Sequence, residues 1–171
     1  KELVGEYVYM NIINSAKKYV YMYTPYLVID NELKTALILA AKRGVDVRMV
    51  TPEKPDTRLV HYLSQSFYEE LISAGVKIYQ YTPGFIHSKC FLSDDNIATV
   101  GTINMDYRSL YHHFECGILF YKSSVCMELK EDMEKTWEEV LPFVDEALTR
   151  FTDMRLKEGE NLIRDLKEKK E

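Results

Sequence analysis

The residues able to do chemistry are concentrated in one stretch, His87-Ser88-Lys89-Cys90-Phe91-Leu92-Ser93-Asp94, followed by Gly101-Thr102-Ile103-Asn104. The pattern predicts a strand over His87–Leu92, and alternate side chains of a strand share a face. His87 and Lys89 would then project together, with Ser88 and Cys90 opposite. Two potential cations in one small volume repel unless an anion lies between them, and a phosphate diester is the natural occupant. Ser93-Asp94-Asp95-Asn96 has the composition of a tight turn. The segment therefore reads as a hairpin that returns Asn104, a neutral amide donor, towards His87.

These residues fill every fixed position of the pattern His-x-Lys-x4-Asp-x6-Gly-Ser/Thr-x-Asn, with Thr102 in the Ser/Thr place. In this the chain resembles the phospholipase D superfamily. The resemblance implies double displacement at a phosphodiester. One neutral histidine attacks phosphorus to form a phosphohistidine, and a second protonates the leaving alcohol and then activates the acceptor. It implies that Lys89 and Asn104 hold the phosphate oxygens and that neither metal nor another cofactor is required. His87 is nucleophile or general acid, with both roles open. Phe114-Glu115 follows His87 by 28 residues, where the superfamily commonly places a carboxylate on the histidine's other ring nitrogen. Glu115 would then fix the tautomer and aim the ring. Asp94 belongs to the catalytic signature, yet its place in a turn suits a structural hydrogen-bonding role better than proton transfer.

Longer strings narrow the resemblance. Thr24-Pro25-Tyr26-Leu27, Arg43-Gly44-Val45-Asp46-Val47-Arg48, Gly75-Val76-Lys77-Ile78-Tyr79, Pro83-Gly84-Phe85-Ile86-His87 and Asn104-Met105-Asp106-Tyr107-Arg108-Ser109 resemble the C-terminal half of bacterial cardiolipin synthases, over residues from about Tyr7 to Glu139. The implied reaction joins two phosphatidylglycerol molecules and releases glycerol. The implied setting is the cytoplasmic side of an anionic cell membrane, within a longer anchored protein, with no nucleic-acid partner. Ile29 stands where that family usually has Pro, and Tyr111-His112-His113 replaces a more apolar or amide-rich stretch. His112 and His113 occupy no signature position, and His61 has no Lys two residues later. One signature cannot make a two-histidine site. The second is expected from an N-terminal half or from a second copy of the chain in a homodimer. Two further readings stay open. One is a phosphodiesterase of the same superfamily that uses water on phospholipid or nucleic acid. The other is a non-catalytic interaction module.

The elements that must position these residues alternate. Strands are expected over Tyr19–Tyr23, Val45–Val50, Val76–Tyr81, His87–Leu92, Ile97–Val100 and Gly117–Tyr121, and helices over Leu3–Lys18, Asn31–Arg43 and Thr57–Ala74. Gly44 and Gly75 each end a helix and precede a strand, as C-terminal caps do. That order implies an α/β domain with a mixed, largely parallel sheet covered by helices. Strand signals stop at about Ser124. Val144, Leu148, Phe151, Leu162 and Leu166 are spaced for one face of one or two amphipathic C-terminal helices. Residues 1–140 read as the phospholipase D-like domain and 141–171 as a helical tail. The tail segment from Ala147 to Leu162 weakly resembles a helical stretch of an endoribonuclease family, and no ribonuclease role follows from it.

Composition bounds the rest. In 171 residues there are 22 basic and 27 acidic side chains and a net charge of −5. Residues 1–127 hold 13 of each sign, so the acidic excess lies in residues 128–171. A neutral body lacks the electrostatic footprint of duplex binding and the polybasic attraction to anionic lipid. No apolar run approaches the roughly 18–20 residues of a membrane span. The N-terminal residues lack the apolar core and cleavage site of a signal peptide and read as part of something longer. Cys90, Cys116 and Cys126 form no metal-ligand pair, which favours buried free thiols in a reducing compartment.

Overall fold

A computed structural model describes residues 2–54, 56–138 and 140. The elements expected over 141–171 lie outside the described residues.

The chain opens with α1 (Val4–Ser15), β1 (Tyr19–Tyr23), β2 (Leu27–Val28), α2 (Asn31–Lys42) and β3 (Asp46–Pro52). Two consecutive helices, α3 (Arg58–Ser66) and α4 (Tyr68–Ala74), lead to β4 (Lys77–Tyr81). A meander follows, β5 (Cys90–Ser93) and β6 (Ile97–Gly101), then β7 (Met105–Asp106), a π-turn at Arg108–His112 and β8 (Gly117–Tyr121). Residues 124–138 form α5.

Six strands make one sheet in the order β4-β3-β1-β5-β6-β8. β1, β3 and β4 pair in parallel, whereas β5, β6 and β8 join by antiparallel pairs. β1, β3, β4 and β6 therefore run one way and β5 and β8 the other, so the sheet is mixed and largely parallel in direction. The parallel half needs crossover helices, and α2 and α3–α4 supply them. Gly75 ends α4 at φ +105°, a left-handed conformation that other residues adopt only with strain.

β1 is buried along its whole length, and its period of two divides the core. Val20 and Met22 face α1, α2 and α4 with Ile12, Leu37, Met49 and Phe91. Tyr19, Tyr21 and Tyr23 face α5 with Leu92, Met133 and Trp137. On this second face Trp137 meets Tyr21 edge-on at 5.8 Å and Tyr79 at 4.7 Å. The three tyrosines of β1 thus pack together on the α5 side of a central strand.

Two expected elements are shorter than their patterns. The first helix stops at Ser15 because the amides of Lys17, Lys18 and Tyr19 turn to the Asp94 carboxylate, at 2.7, 2.9 and 2.9 Å. The third divides at Phe67, whose amide closes back onto Ser64. Ser64 is itself buried and accepts the Leu27 amide at 3.0 Å, which pins α3 to the start of β2. Ile29, the departure from Pro, is buried in the core. Cys90 and Cys126 are buried free thiols, but Cys116 is exposed, because it lies just outside the last β6–β8 pair.

Candidate active site

β1 and β5 pair only as far as Tyr23 opposite Cys90. Beyond that point β1 turns away through Thr24 and Pro25, and His87, Ser88 and Lys89 have no strand partner on that side. The expected strand over His87–Leu92 is therefore a strand only from Cys90 onward. The Gly101 amide still reaches the Lys89 carbonyl at 3.2 Å, so β6 fixes the last residue of this segment.

The Ser93–Asn96 turn does make the hairpin. The Asn96 amide bonds to the Ser93 carbonyl at 3.0 Å, and Asp94 and Asp95 both take positive φ, the geometry of a tight hairpin turn. The hairpin brings Gly101, Thr102 and Asn104 back beside His87 and Lys89. Together with Tyr23 they line a cavity of about 510 Å³. It opens at the carboxyl ends of β1 and β6, where open α/β sheets characteristically bind ligands. α5 contributes Leu129 and Asp132 to the same wall. The sequence pattern gave Asp132 no role, since it belongs to a charged helical run beyond the last strand.

Lys89 Nζ lies 2.8 Å from His87 Nδ1 and donates to the His87 carbonyl at 2.6 Å. Burial lowers the Lys89 pKa from its ordinary value, opposed in part by the Glu115 and Asp106 carboxylates. The His87 ring is exposed but held by aromatic neighbours. Phe85 stacks on it at 5.5 Å between centroids, and Tyr26 meets it edge-on at 6.3 Å. The Tyr26 hydroxyl in turn bonds to Asp56. Phe85 and Tyr26 stand in strings noted above, yet nothing in their spacing announces contact with His87. Tyr26 arrives from the loop after β1, the neighbour of β5 in the sheet.

Glu115 is not joined to His87 by a hydrogen bond. Its carboxylate accepts from Thr102 Oγ1 and lies 3.8 Å from His113 Nδ1, with the side chain only 15% exposed. Thr102 Oγ1 also accepts the Cys116 amide at 3.0 Å, and the Thr102 amide bonds to the Cys116 carbonyl at 2.8 Å. Thr102 thus clips the segment carrying Glu115 to the segment carrying the signature. Gly101 makes this approach possible, because a Cβ there would stand 2.4 Å from the Cys116 carbonyl oxygen.

Asn104 Nδ2 donates to Ser109 Oγ at 3.2 Å, while its Oδ1 is buried without a partner. The Asn104 segment is carried to β1 by the β2–β7 pairing and by Thr24 Oγ1, which accepts the Met105 amide at 3.3 Å. Asp94 sits at the opposite end of β5 from Lys89. Burial alone would raise its pKa, but the three amides and Lys18 outweigh it and hold the carboxyl below the ordinary value. Both oxygens are occupied in anchoring the hairpin to the α1–β1 junction. His61 lies on α3 against Gln65, and burial lowers its pKa. The arrangement is an ammonium, an imidazole flanked by two aromatic rings and an amide around an open cavity, which suits capture of a tetrahedral anion.

The fold has close counterparts among solved structures. A phospholipase D family member, Nuc, from Salmonella typhimurium superposes with TM-score 0.67 at 20% identity, over 79% of this chain and 88% of that one. NucT from Helicobacter pylori gives 0.64 at 17%, over 80% and 89%. Residues 9–137 match the family described as cardiolipin synthase, PLD-like domain, and the chain belongs to that family. Cardiolipin synthase 2 of Bacillus cereus is 42% identical over 134 residues, 78% of this chain and 26% of the relative. A cardiolipin synthase of Halalkalibacterium halodurans is 40% identical over 129 residues, 75% and 26%. An uncharacterised protein of Streptococcus mutans is 50% identical over 135 residues, 79% and 29%. The chain thus spans little more than a quarter of the relatives it matches. Among the described residues no helix is long and apolar enough to cross a membrane.

Proposed function

We propose that this chain supplies one half of a phosphatidyltransferase site that makes cardiolipin from two phosphatidylglycerol molecules at an anionic bilayer surface. One histidine attacks phosphorus of the first lipid, and the bond to glycerol breaks. The departing alkoxide takes its proton from the second histidine. The terminal hydroxyl of the second lipid then gives a proton back and attacks the phosphohistidine, which releases cardiolipin. His87 is one of these two groups. Lys89 and Asn104 bind the equatorial oxygens, and Glu115 is held by Thr102 beside them. The other histidine comes from a second signature, in a preceding half or in a second copy.

The observation that carries this reading is the convergence of His87, Lys89 and Asn104 on one cavity in a chain of the cardiolipin synthase family. The test is lipid product analysis with phosphatidylglycerol vesicles, on the chain alone and with a complementary half. Cardiolipin and glycerol in equal amounts, lost in His87→Ala, support transfer. Phosphatidic acid in place of cardiolipin would make water the acceptor and the protein a phosphodiesterase. Activity of the chain alone would assign the second histidine to a homodimer.

A further inference from the structure

His87 is exposed and stands on a loop before β5, yet a displacement at phosphorus needs its ring aimed. Reacting atoms must lie about 3–3.5 Å apart and aligned, and a misplacement of about 1 Å costs on the order of 10²-fold in rate. Glu115, the carboxylate expected to aim the ring, is bonded to Thr102 instead. Lys89 meets Nδ1, but its ammonium is needed on the phosphate. Two aromatic rings remain. Ile86 packs against the core on the α5 face, and its neighbours Phe85 and His87 both face outward. Phe85 stacks on the imidazole at 5.5 Å between centroids and 23° between planes, within the range of favourable ring pairs. Tyr26 closes on the same ring at 6.3 Å and 79°. The two contacts restrain different motions. The stack resists tilting of the imidazole, and the perpendicular ring resists its swing across the Phe85 face.

We propose that Phe85 and Tyr26 are positioning residues that aim His87, and that Asp56, outside the cavity wall, acts on the ring through Tyr26. This rests on the reading of His87 as a group in the displacement. Core burial does not account for Phe85, which is 48% exposed, whereas its stack on His87 does. Tyr26 is half-buried and donates its hydroxyl to the exposed Asp56, just ahead of α3. Burial, and the Asp56 carboxylate after it, push that hydroxyl up to about 12, so the phenol keeps the proton with which it holds Asp56. A carboxylate on the far side of the Tyr26 ring thereby limits where that ring can stand, and with it the imidazole.

The test has two arms. In the first, NMR of the full chain is expected to show nuclear Overhauser contacts from the His87 ring protons, assigned by their loss in His87→Asn, to the Phe85 and Tyr26 rings. Asp56→Ala is expected to weaken the Tyr26 contact and to keep the Phe85 one. In the second, the assembled enzyme exchanges labelled glycerol into phosphatidylglycerol vesicles. Phe85→Leu is expected to lower kcat by about 10–10²-fold with KM and thermal midpoint unchanged, and Phe85→Tyr to restore it. Tyr26→Phe, which keeps the ring and loses the bond, and Asp56→Ala are expected to lower kcat alike, with no further loss in the double variant. Missing ring contacts in the wild type would overturn the positioning role and leave the displacement reading standing. So would a raised KM at unchanged kcat in Phe85→Leu, which would make Phe85 a lipid contact, or additive losses in Tyr26→Phe and Asp56→Ala. No exchange by the wild-type enzyme would overturn the displacement reading and the positioning role with it.

Discussion

At the scale of single residues, Lys89 separates binding from structure. It lies on a loop before β5 and its side-chain bonds go only to His87, so no core contact depends on it. Lys89→Ala in the assembled enzyme is expected to lose about 10²–10³-fold in kcat, the scale of one transition-state charge donor, with an unchanged circular dichroism spectrum. Wild-type turnover would remove Lys89 from the site. Gly101 is the converse case, a residue with no side chain whose replacement is structural. A methyl 2.4 Å from the Cys116 carbonyl oxygen forces β6 and β8 apart. Gly101→Ala is expected to cost about 1–3 kcal/mol in urea unfolding and to reduce activity by releasing Thr102 from Cys116. That His87, Lys89 and Asn104 share one cavity was legible in sequence because their spacing is a signature. Their contacts were not. Alternation along a strand placed His87 and Lys89 together, whereas the structure brings them together on a loop. Glu115 was expected on His87 and is found on Thr102, because its orientation depends on how two separate segments are clipped at Gly101.

At the scale of elements, Asp94 holds the hairpin to the α1–β1 junction through three backbone amides. Asp94→Asn keeps the tolerance for positive φ at this turn but offers one acceptor oxygen in place of two. It is expected to destabilise the domain by about 1–3 kcal/mol at neutral pH. The folded pKa lies below the ordinary one, so the carboxylate's stabilisation is full above the ordinary aspartate range and is lost as pH falls through the folded value. Wild type and Asp94→Asn should therefore converge in stability below about pH 3.9, and a gap that stays constant in acid would contradict the anchor. Turn composition at Ser93–Asn96 revealed the hairpin, and the two glycines revealed the helix ends. The short β2–β7 pair was not legible, since two residues on each side leave no periodicity. The break at Phe67 was equally hidden, because it is set by Ser64 packing against β2 rather than by a helix-breaking residue.

At the scale of the molecule, the sheet is sealed on one face by α1, α2 and α4 and on the other by α5. Trp137 on α5 closes the second face against Tyr21, Tyr23 and Tyr79, and the same helix brings Leu129 and Asp132 to the cavity. Trp137→Ala is expected to cost about 3–5 kcal/mol and to lower activity as well as the thermal midpoint, because the wall of the site moves with the helix. A stable variant with full activity would detach α5 from the site. The α/β class and the mixed sheet were legible from the repeated helix, glycine and strand. The position of α5 was not, because an amphipathic charged helix carries no mark of the face it covers. A double displacement through His87 requires that the first half of the reaction run backward as well as forward. Isotopically labelled glycerol added to unlabelled phosphatidylglycerol vesicles and the assembled enzyme should appear in phosphatidylglycerol, with loss of that exchange in His87→Ala. Cardiolipin formed without glycerol exchange, or exchange that survives His87→Ala, would contradict it.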